Sequence, residues 1–299
     1  MKKIKILIAG HTGFIGSSLV KELKKKSLFE LVCLSRSNGF NLNEKIDLNG
    51  AIFDIVINLS AITNIDESWL NPSKYYKNNY LITLNLLEYA RVCKAKFIQI
   101  SSYTYGSPKY QPIDENHPIN GYNPYASSKI LADQLCESYS QQYDIPVTIL
   151  KPFNIYGSDQ SDRFFIKKMI KNAISGSGEK LKIQDLHAKR DYLWIDDFID
   201  AIVKVAKAQE DGFFIYNIGS GVSYSAKEII KIINLYTGGV TFDLTENPLS
   251  KLLIQDCICN SNLFSKKFNW HPKVDLKYAD LKTNSNGNKN HQFQILLPP

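Results

Sequence analysis

The chain has 299 residues, of which 44% are hydrophobic and 22% are charged. This composition excludes a disordered chain, a collagen-like chain and a disulfide scaffold, and the length allows one large domain or two moderate ones. The net charge of +7 favours an anionic ligand. The basic residues are scattered, however, so we expect no nucleic-acid partner.

Features that the chain lacks indicate its cellular compartment and predict that it holds no metal. No run reaches about 18 apolar residues, so we expect no membrane-spanning helix and no membrane partner. The five cysteines are odd in number and dispersed, which indicates free thiols and predicts a cytoplasmic protein. The pair Cys257 and Cys259 is too closely spaced for a zinc site and has no His cluster beside it, so we predict no metal.

The first half of the chain alternates short apolar runs with helical patterns. Residues 4–9 are typical of a strand buried on both faces, and residues 15–26 carry apolar side chains at helical spacing. The same alternation predicts further strands over 31–34, 55–59, 97–100 and 147–150, and helices over 75–94 and 125–143. Such alternation indicates βαβ units. We therefore predict an α/β protein with a doubly wound parallel sheet of the Rossmann type.

The pattern loosens after Pro152. Residues 176–178 indicate a loop, whereas 196–207 and 226–235 have helical patterns. We predict a dinucleotide-binding domain over 1–152 and a smaller α/β substrate domain over 153–299, with about 192–220 packing back onto the first. The tail over 283–299 begins with polar residues and is expected to be flexible.

A glycine-rich turn joins the first predicted strand to the first predicted helix. Gly10 permits a tight turn, Gly13 lets the backbone approach a pyrophosphate, and Gly16 lets the helix pack closely on the strand. The helix N-terminus then offers N–H groups and a positive dipole end to the phosphates. This position predicts a dinucleotide site.

The end of the second predicted strand indicates which dinucleotide binds. An acidic residue there would hold the ribose hydroxyls of NAD, but the sequence is Leu-Ser-Arg-Ser, with no carboxylate. Arg36 could stack on adenine and pair with a 2′-phosphate. The residues therefore favour NADP(H), and NAD(H) is the alternative.

Tyr125 and Lys129 provide a candidate acid–base pair. They lie four residues apart at the start of a predicted helix, so both side chains face the same side. A nearby ammonium favours the phenolate and makes the tyrosine a usable acid or base. The same Tyr–Lys spacing occurs at Tyr105 and Tyr278, but the first pair encloses a proline and the second follows no strand that ends in serine.

Ser101 and Ser102 end the strand predicted over 97–100. They lie at the carboxyl edge of the sheet, where ligands of open α/β sheets bind. A hydroxyl there can hydrogen-bond the substrate oxygen that Tyr125 protonates. A serine from this pair therefore completes the candidate catalytic set.

Together these motifs resemble the extended short-chain dehydrogenase/reductase family, and within it the branch that modifies nucleotide sugars. The resemblance extends to about residue 280. It is carried by Tyr125 and Lys129 and by the segments 10–16, 59–61, 101–106, 151–157, 190–192, 216–221 and 268–272.

The resemblance implies roles for the matching residues. Ser101 is the better match to the catalytic Ser or Thr, because it stands four residues before Tyr105, and Ser102 is the alternative. The resemblance implies a nucleotide-sugar substrate and a homodimer. Implied substrate contacts are Ser102, Tyr103, Asn154 and Arg190. Implied cofactor contacts are Gly10, Thr12, Gly13, Phe14, Ile15, Gly16, Arg36, Leu59, Ser60, Ala61, Asn79, Tyr125, Lys129 and Pro152.

Departures from the family pattern reduce the number of reactions that the resemblance allows. Related 4,6-dehydratases carry an Asp-Glu pair where this chain has Ser102 and Tyr103, which argues against elimination of water. The Cys and His of related 3,5-epimerase/reductases are absent, and Lys251 stands where a phosphate-binding Arg is expected.

The resulting hypothesis is an NADPH-dependent reductase of a 4-keto-6-deoxy nucleotide sugar, with hydride transfer to C4 and Tyr125 as proton donor. The alternative is a nucleotide-sugar 4-epimerase with bound NAD, which would use the same residues in both directions. A third hypothesis is a catalytically silent NADP-binding sensor on the same fold.

Overall fold

The computed structural model describes residues 2–175, 180–237, 239–245, 254–278, 280–283 and 293–296. The strands are β1 (Ile4–Ala9), β2 (Phe29–Leu34), β3 (Ile55–Asn58), β4 (Lys96–Ile100), β5 (Val147–Pro152), β6 (Asn154–Tyr156), β7 (Leu181–Ile183), β8 (Lys189–Trp194), β9 (Phe213–Ile218), β10 (Ser223–Ser225), β11 (Phe242–Leu244), β12 (Asp280–Thr283) and β13 (Phe293–Leu296). The helices are α1 (Phe14–Lys24), α2 (Ile65–Leu70), α3 (Pro72–Cys93), α4 (Pro124–Tyr143), α5 (Phe165–Ser175), α6 (Ile195–Lys207), α7 (Ala226–Asn234) and α8 (Asn262–Phe268).

A six-stranded parallel sheet is the centre of the molecule, with the strand order β2-β1-β3-β4-β5-β9. Helices α1 and α6 cover one face, and α3 and α4 cover the other. Within β1, Ile6 and Ile8 belong to the first apolar cluster, whereas Leu7 and Ala9 belong to the second. Burial on both faces explains why the strand is a continuous apolar run. The prediction of a doubly wound parallel sheet is confirmed.

The predicted elements of the first half are present with small shifts at their ends. α1 ends at Lys24 rather than at residue 26. β5 continues past residue 150, because Lys151 and Pro152 extend its pairing with β9. A buried lysine at the end of a strand interrupts the hydrophobic pattern, so the sequence analysis ended this strand too early.

Beyond β5 the chain forms smaller sheets. β6, β8 and β10 make a three-stranded sheet, and β7 pairs with β11. Between them the chain returns to the large sheet, because α6 packs on α1 and β9 pairs with β5. The loop predicted over 176–178 lies outside the described residues.

Residues 270–274, called the closing segment below, are anchored on α6. The Asp197 carboxylate accepts hydrogen bonds from the backbone N–H groups of Lys273 (2.9 Å) and Val274 (3.1 Å). The Trp270 indole donates to the Asp197 carbonyl at 3.2 Å and packs edge-on against Phe264. These hydrogen bonds hold the closing segment against α6, which covers one face of the six-stranded sheet.

Two short strands are described near the tail, whose predicted flexibility stays a prediction. β12 and β13 form a two-stranded antiparallel sheet, with Thr283 opposite Phe293. The run Phe-Gln-Ile-Leu of β13 alternates apolar and polar residues at its start, as a strand does. Residues 284–292 and 297–299 lie outside the described part. Among the helices that the structure does describe, none has both the length and the apolar character to cross a membrane.

Candidate active site

The glycine turn brings β1, α1 and the loop after β3 into close contact. Gly10 has a φ of +86°, and a Cβ there would lie 2.8 Å from the Leu59 carbonyl carbon and the Ser60 nitrogen. A Cβ on Gly16 would lie 2.3 Å from the Gly10 oxygen. Both positions therefore require glycine because of the protein's own packing.

Gly13 differs from the other two glycines. A Cβ there would meet only the Gly10 oxygen, at 3.5 Å, which is an ordinary contact. Gly13 is also the N-cap of α1 and has extended backbone, and it offers no side-chain cap. The space beside Gly13 and the exposed Thr12 is thus left open at the positive end of a helix, which fits a pyrophosphate.

The side chains that follow Gly13 belong to the fold. Phe14 lies against Gly157, where a Cβ would approach its ring to 3.1 Å. Phe14 and Ile15 both pack on the apolar core. These two predicted cofactor contacts would therefore act through their backbone.

Arg36 lies in a short 3-10 helix directly after β2. The Asn38 side chain fastens this turn, since it donates to the Cys33 carbonyl (2.7 Å) and accepts from the Ser35 N–H (2.7 Å). Arg36 itself is exposed, and within the described residues it has no ion pair. Its guanidinium is free to meet an anionic ligand beyond the sheet edge.

Asn79 fastens the loop that carries Leu59, Ser60 and Ala61. Its side chain accepts from the Ile62 N–H at 2.9 Å and donates to the Ser128 hydroxyl at 2.9 Å. Asn79 is 1% exposed. It therefore ties the loop after β3 to α4, which carries the acid–base pair.

Helix α4 begins so that Tyr125 falls in its first turn. Asn123 caps it by accepting from the Ala126 N–H at 2.7 Å, and Pro124 occupies the first helical position. Tyr125 and Lys129 are both buried, on one face of the helix. The Lys129 ammonium donates to the Ile100 carbonyl at 2.9 Å, which places it under the end of β4.

Burial dominates the electrostatics of this pair. It raises the pKa of Tyr125 to about 12, and the Ser102 side chain acts in the opposite direction. Burial also lowers the pKa of Lys129, which the charge of Asp133 partly offsets. A phenol with a raised pKa stays protonated at neutral pH until a substrate or cofactor changes its surroundings.

The two serines after β4 have different partners. The Ser101 hydroxyl donates to the Asp133 carboxylate at 2.7 Å and is buried. Ser102 is half-buried, and its side chain acts to lower the pKa of Tyr125 against the larger effect of burial. Both serines therefore lie between the end of β4 and helix α4, which carries the acid–base pair.

Aromatic rings line the region next to Ser102. The Tyr103 ring lies edge-on to Phe153 (5.2 Å between centroids) and to Tyr122 (6.4 Å). Arg190 is held by the carbonyls of Lys189 (2.7 Å) and Ile254 (2.6 Å). Burial raises the pKa of Tyr103, and the charge of Arg190 acts in the opposite direction. The structure thus brings Tyr103 and Arg190 to one region.

The other predicted contacts occupy strand ends. Pro152 ends β5 and is buried. Asn154 is exposed, and its side chain donates to the Asp191 carbonyl at 3.0 Å. Lys251 lies outside the described residues. Among the described residues, no group of three or more His, Cys, Asp or Glu could hold a metal.

Sequence analysis missed two charged residues behind the acid–base pair, Asp133 and Lys151. Asp133 follows Lys129 by four residues, so the i, i+4, i+8 spacing from Tyr125 was the available signal. Lys151 gave no signal of its own. A third missed residue is Asp191, whose buried carboxylate accepts from the backbone N–H groups of Ser220 (2.8 Å), Gly221 (2.8 Å) and Cys259 (3.0 Å).

Comparison with known proteins agrees with this architecture. The family model described as "NAD dependent epimerase/dehydratase family" matches residues 6–219. A UDP-glucose 4-epimerase of Lactobacillus helveticus is 28% identical, over 90% of this chain and 92% of its own length.

Two solved structures share the fold across nearly all of both chains. A UDP-glucuronic acid 4-epimerase from Bacillus cereus, solved with UDP-glucuronic acid and NAD, has a TM-score of 0.80 at 25% identity and covers 92% of this chain and 96% of its own. RMD from Pseudomonas aeruginosa, solved with NADPH, has a TM-score of 0.78 at 25% identity and covers 92% and 95%. The chain belongs to the NAD-dependent epimerase/dehydratase family, an enzyme family of the extended short-chain dehydrogenase/reductase type.

Proposed function

We propose that this protein is a UDP-sugar 4-epimerase that works with NAD. The observation that carries the proposal is a buried Tyr125 phenol that shares a helix face with a buried Lys129 beside the end of β4. UDP-sugar 4-epimerases also recur among relatives that match most of this chain. The evidence thus favours the epimerase alternative over the reductase that the sequence analysis put first.

The dinucleotide would lie along the carboxyl ends of β1, β2 and β3. The open space at Gly13 would admit the pyrophosphate, and the loop 59–61 would lie beside the nicotinamide half. When bound, NAD supplies a site that takes up a hydride from the sugar C4 and returns it to the opposite face.

Tyr125 would act on the oxygen at C4. Its phenolate accepts the hydroxyl proton when the sugar is oxidised and gives the proton back when the sugar is reduced. Lys129 stabilises the phenolate through its charge. We assign the substrate-oxygen contact to Ser101, which stands four residues before Tyr105, and Ser102 is the alternative.

The sugar nucleotide would extend away from this point. Arg190 offers a guanidinium suited to a diphosphate, and its two carbonyl contacts pre-set its orientation. Tyr103 would wall the sugar, and Asn154 lies at the rim. No carboxylate follows Ser102 before Tyr105, which argues against a dehydratase.

A reductase with NADPH is the second candidate. Exposed Arg36 at the end of β2 favours it, since no carboxylate there would hold the ribose of NAD. A homodimer is part of either proposal.

Cofactor retention and net redox change separate the two. The purified protein is denatured and the released nucleotide identified, and the protein is then offered UDP-glucose, UDP-galactose and UDP-glucuronic acid without added cofactor. We expect co-purified NAD and interconversion of C4 epimers at constant absorbance at 340 nm. Protein free of nucleotide that oxidises added NADPH with a 4-keto-6-deoxy nucleotide sugar would establish the reductase instead.

A further inference from the structure

Asp191 is a buried carboxylate that directly follows Arg190 in β8, and the proposed chemistry does not use it. Its side chain is 0% exposed. One oxygen accepts from the Ser220 N–H (2.8 Å) and the Ser220 hydroxyl (2.7 Å), and the other accepts from the N–H groups of Gly221 (2.8 Å) and Cys259 (3.0 Å). Asp191 therefore joins three separate parts of the chain: β8, the loop between β9 and β10, and the residues that precede α8.

Residues 254–259 lie alongside β8. The Lys189 N–H donates to the Gln255 carbonyl at 2.7 Å, and the Asp191 N–H donates to the Cys257 carbonyl at 3.1 Å. The Asp191 carboxylate adds a third hydrogen bond at the end of this segment. One residue of β8 thus holds residues 254–259 through both its backbone and its side chain.

The guanidinium of Arg190 is oriented by the same segment. Its Nη1 donates to the Ile254 carbonyl at 2.6 Å and to the Lys189 carbonyl at 2.7 Å. Among the described residues, none accepts a hydrogen bond from Nη2 or Nε of Arg190, so these donors are left for a phosphate. Because Ile254 belongs to the segment that Asp191 holds, a change at Asp191 should shift the guanidinium.

A second predicted substrate contact depends on the same residue. The Asn154 side chain donates to the backbone carbonyl of Asp191 at 3.0 Å. The packing around the carboxylate leaves little room for adjustment, since a Cβ on Gly219 would lie 2.3 Å from the Cβ of Cys259 and 3.0 Å from the Asp191 carboxylate. Displacement of Asp191 would therefore be passed to both candidate contacts with the sugar nucleotide.

The negative charge of Asp191 does not compete with a bound phosphate. Successive side chains of a strand point to opposite faces, so the carboxylate lies on the other face of β8 from the guanidinium. It is surrounded there by four hydrogen-bond donors. Burial of a carboxylate costs free energy unless such donors are present, and a fully bonded one gives a rigid connection between the segments it joins.

We propose that Asp191 is a positioning residue for the sugar nucleotide: it fixes residues 219–221 and 254–259 on β8 and thereby orients Arg190 toward the diphosphate. The inference rests on the proposed function only in assigning Arg190 to the diphosphate. Asp191 itself touches neither substrate nor cofactor.

The test is a mutant cycle read on nucleoside diphosphate affinity. Asp191→Asn, Arg190→Met and the double variant are titrated calorimetrically with UDP, dTDP and GDP, and thermal unfolding establishes that each is folded at the titration temperature. Asp197→Asn is the matched control. Asp197 is also a buried carboxylate that accepts two backbone N–H groups, but it lies on α6 and holds the closing segment.

We expect Arg190→Met to lose roughly ten- to a hundredfold in UDP affinity, because it removes hydrogen bonds between charged groups. Asp191→Asn should lose about tenfold, because its new NH₂ group would face N–H donors and displace the segment that orients Arg190. The double variant should bind no more weakly than Arg190→Met alone, since one residue acts through the other.

Turnover should separate positioning from a general loss of structure. Asp191→Asn should raise the substrate KM by the same factor and leave kcat and NAD affinity within about threefold of the unmutated values, because only uniform binding is lost. Asp197→Asn should lower the unfolding temperature without changing UDP affinity. Unchanged UDP affinity in Asp191→Asn, an equal loss in Asp197→Asn, or losses that multiply in the double variant would overturn the inference.

A milder variant covers the case in which Asp191→Asn does not fold. Ser220→Ala removes one of the four donors and leaves the three backbone N–H groups in place. It should weaken UDP binding by about two- to threefold, and this loss should disappear in the Arg190→Met background. Unchanged UDP affinity in Ser220→Ala would then overturn the inference.

The proposed function and the positioning inference fail on different results. A protein that binds a nucleoside diphosphate but interconverts no C4 epimers refutes the epimerase proposal, and the mutant cycle still decides the role of Asp191 from binding alone. A protein that binds none of the three diphosphates refutes the positioning inference, whichever reaction it performs.

Discussion

Substitution of Gly13 and Gly16 by alanine should separate ligand binding from folding within one turn. Gly13 has a φ of −73° and a ψ of 171°, a conformation open to alanine, and its new Cβ would meet only the Gly10 oxygen at 3.5 Å. At a compatible position, Gly→Ala stabilises a protein by about 0.4–1 kcal/mol through the unfolded state. We therefore expect Gly13→Ala to unfold at the wild-type temperature or slightly above it.

Gly16→Ala should behave in the opposite way. Its Cβ would lie 2.3 Å from the Gly10 oxygen and 2.7 Å from the Cα of His11, and both are backbone atoms that cannot rotate away. Overpacking of this kind costs about 1–3 kcal/mol. For a chain of this size, that lowers the midpoint by roughly 1.5–2 °C for each kcal/mol.

Dinucleotide affinity should fall more in Gly13→Ala than in Gly16→Ala, which is the reverse of the order expected for stability. The methyl group of Gly13→Ala would occupy the space left for the pyrophosphate and displace its hydrogen bonds to the helix N-terminus. Loss of one hydrogen bond to a charged group costs about 1.5–3 kcal/mol, or roughly ten- to a hundredfold in affinity. Calorimetric unfolding and nucleotide titration on both variants measure the two effects. Wild-type affinity in Gly13→Ala, or equal destabilisation by both substitutions, would refute the assignment of Gly13 to the ligand.

Three further predictions concern the acid, the cofactor and the closing segment. Tyr125→Phe should bind dinucleotide normally and lose about 10²–10⁴-fold in turnover, because it removes only the proton donor. Tyr278→Phe is the control. If Tyr278→Phe were the inactive variant instead, the wrong Tyr–Lys pair would have been chosen. If Arg36 contacts a 2′-phosphate, the protein should bind NADPH more tightly than NADH and Arg36→Ala should erase that difference, whereas equal affinities in the unmutated protein would leave Arg36 without this role. Asp197→Ala removes the acceptor of two backbone N–H groups and should destabilise the fold by about 1–3 kcal/mol in denaturant unfolding. An unchanged denaturant midpoint would show that the closing segment is held by its apolar contacts alone.

The sequence was informative where a residue type is required by backbone geometry or by repeated burial. The runs of β1 and β3 are mostly apolar because both faces of the sheet are covered. Glycine is required at positions 10 and 16 because a Cβ there would make contacts under 3 Å. Tyr125 and Lys129 stood out because a helix places residues four apart on one side. Each of these signals is local in the chain.

The features that sequence analysis missed depend on contacts between distant segments. Counting back from Tyr105 favours Ser101, which stays a prediction, but the sequence did not show that its hydroxyl donates to Asp133. Lys151 is buried beside that carboxylate, although a lysine in a sequence is ordinarily read as exposed. Neither pairing could be inferred without knowing that α4 and the ends of β4 and β5 converge.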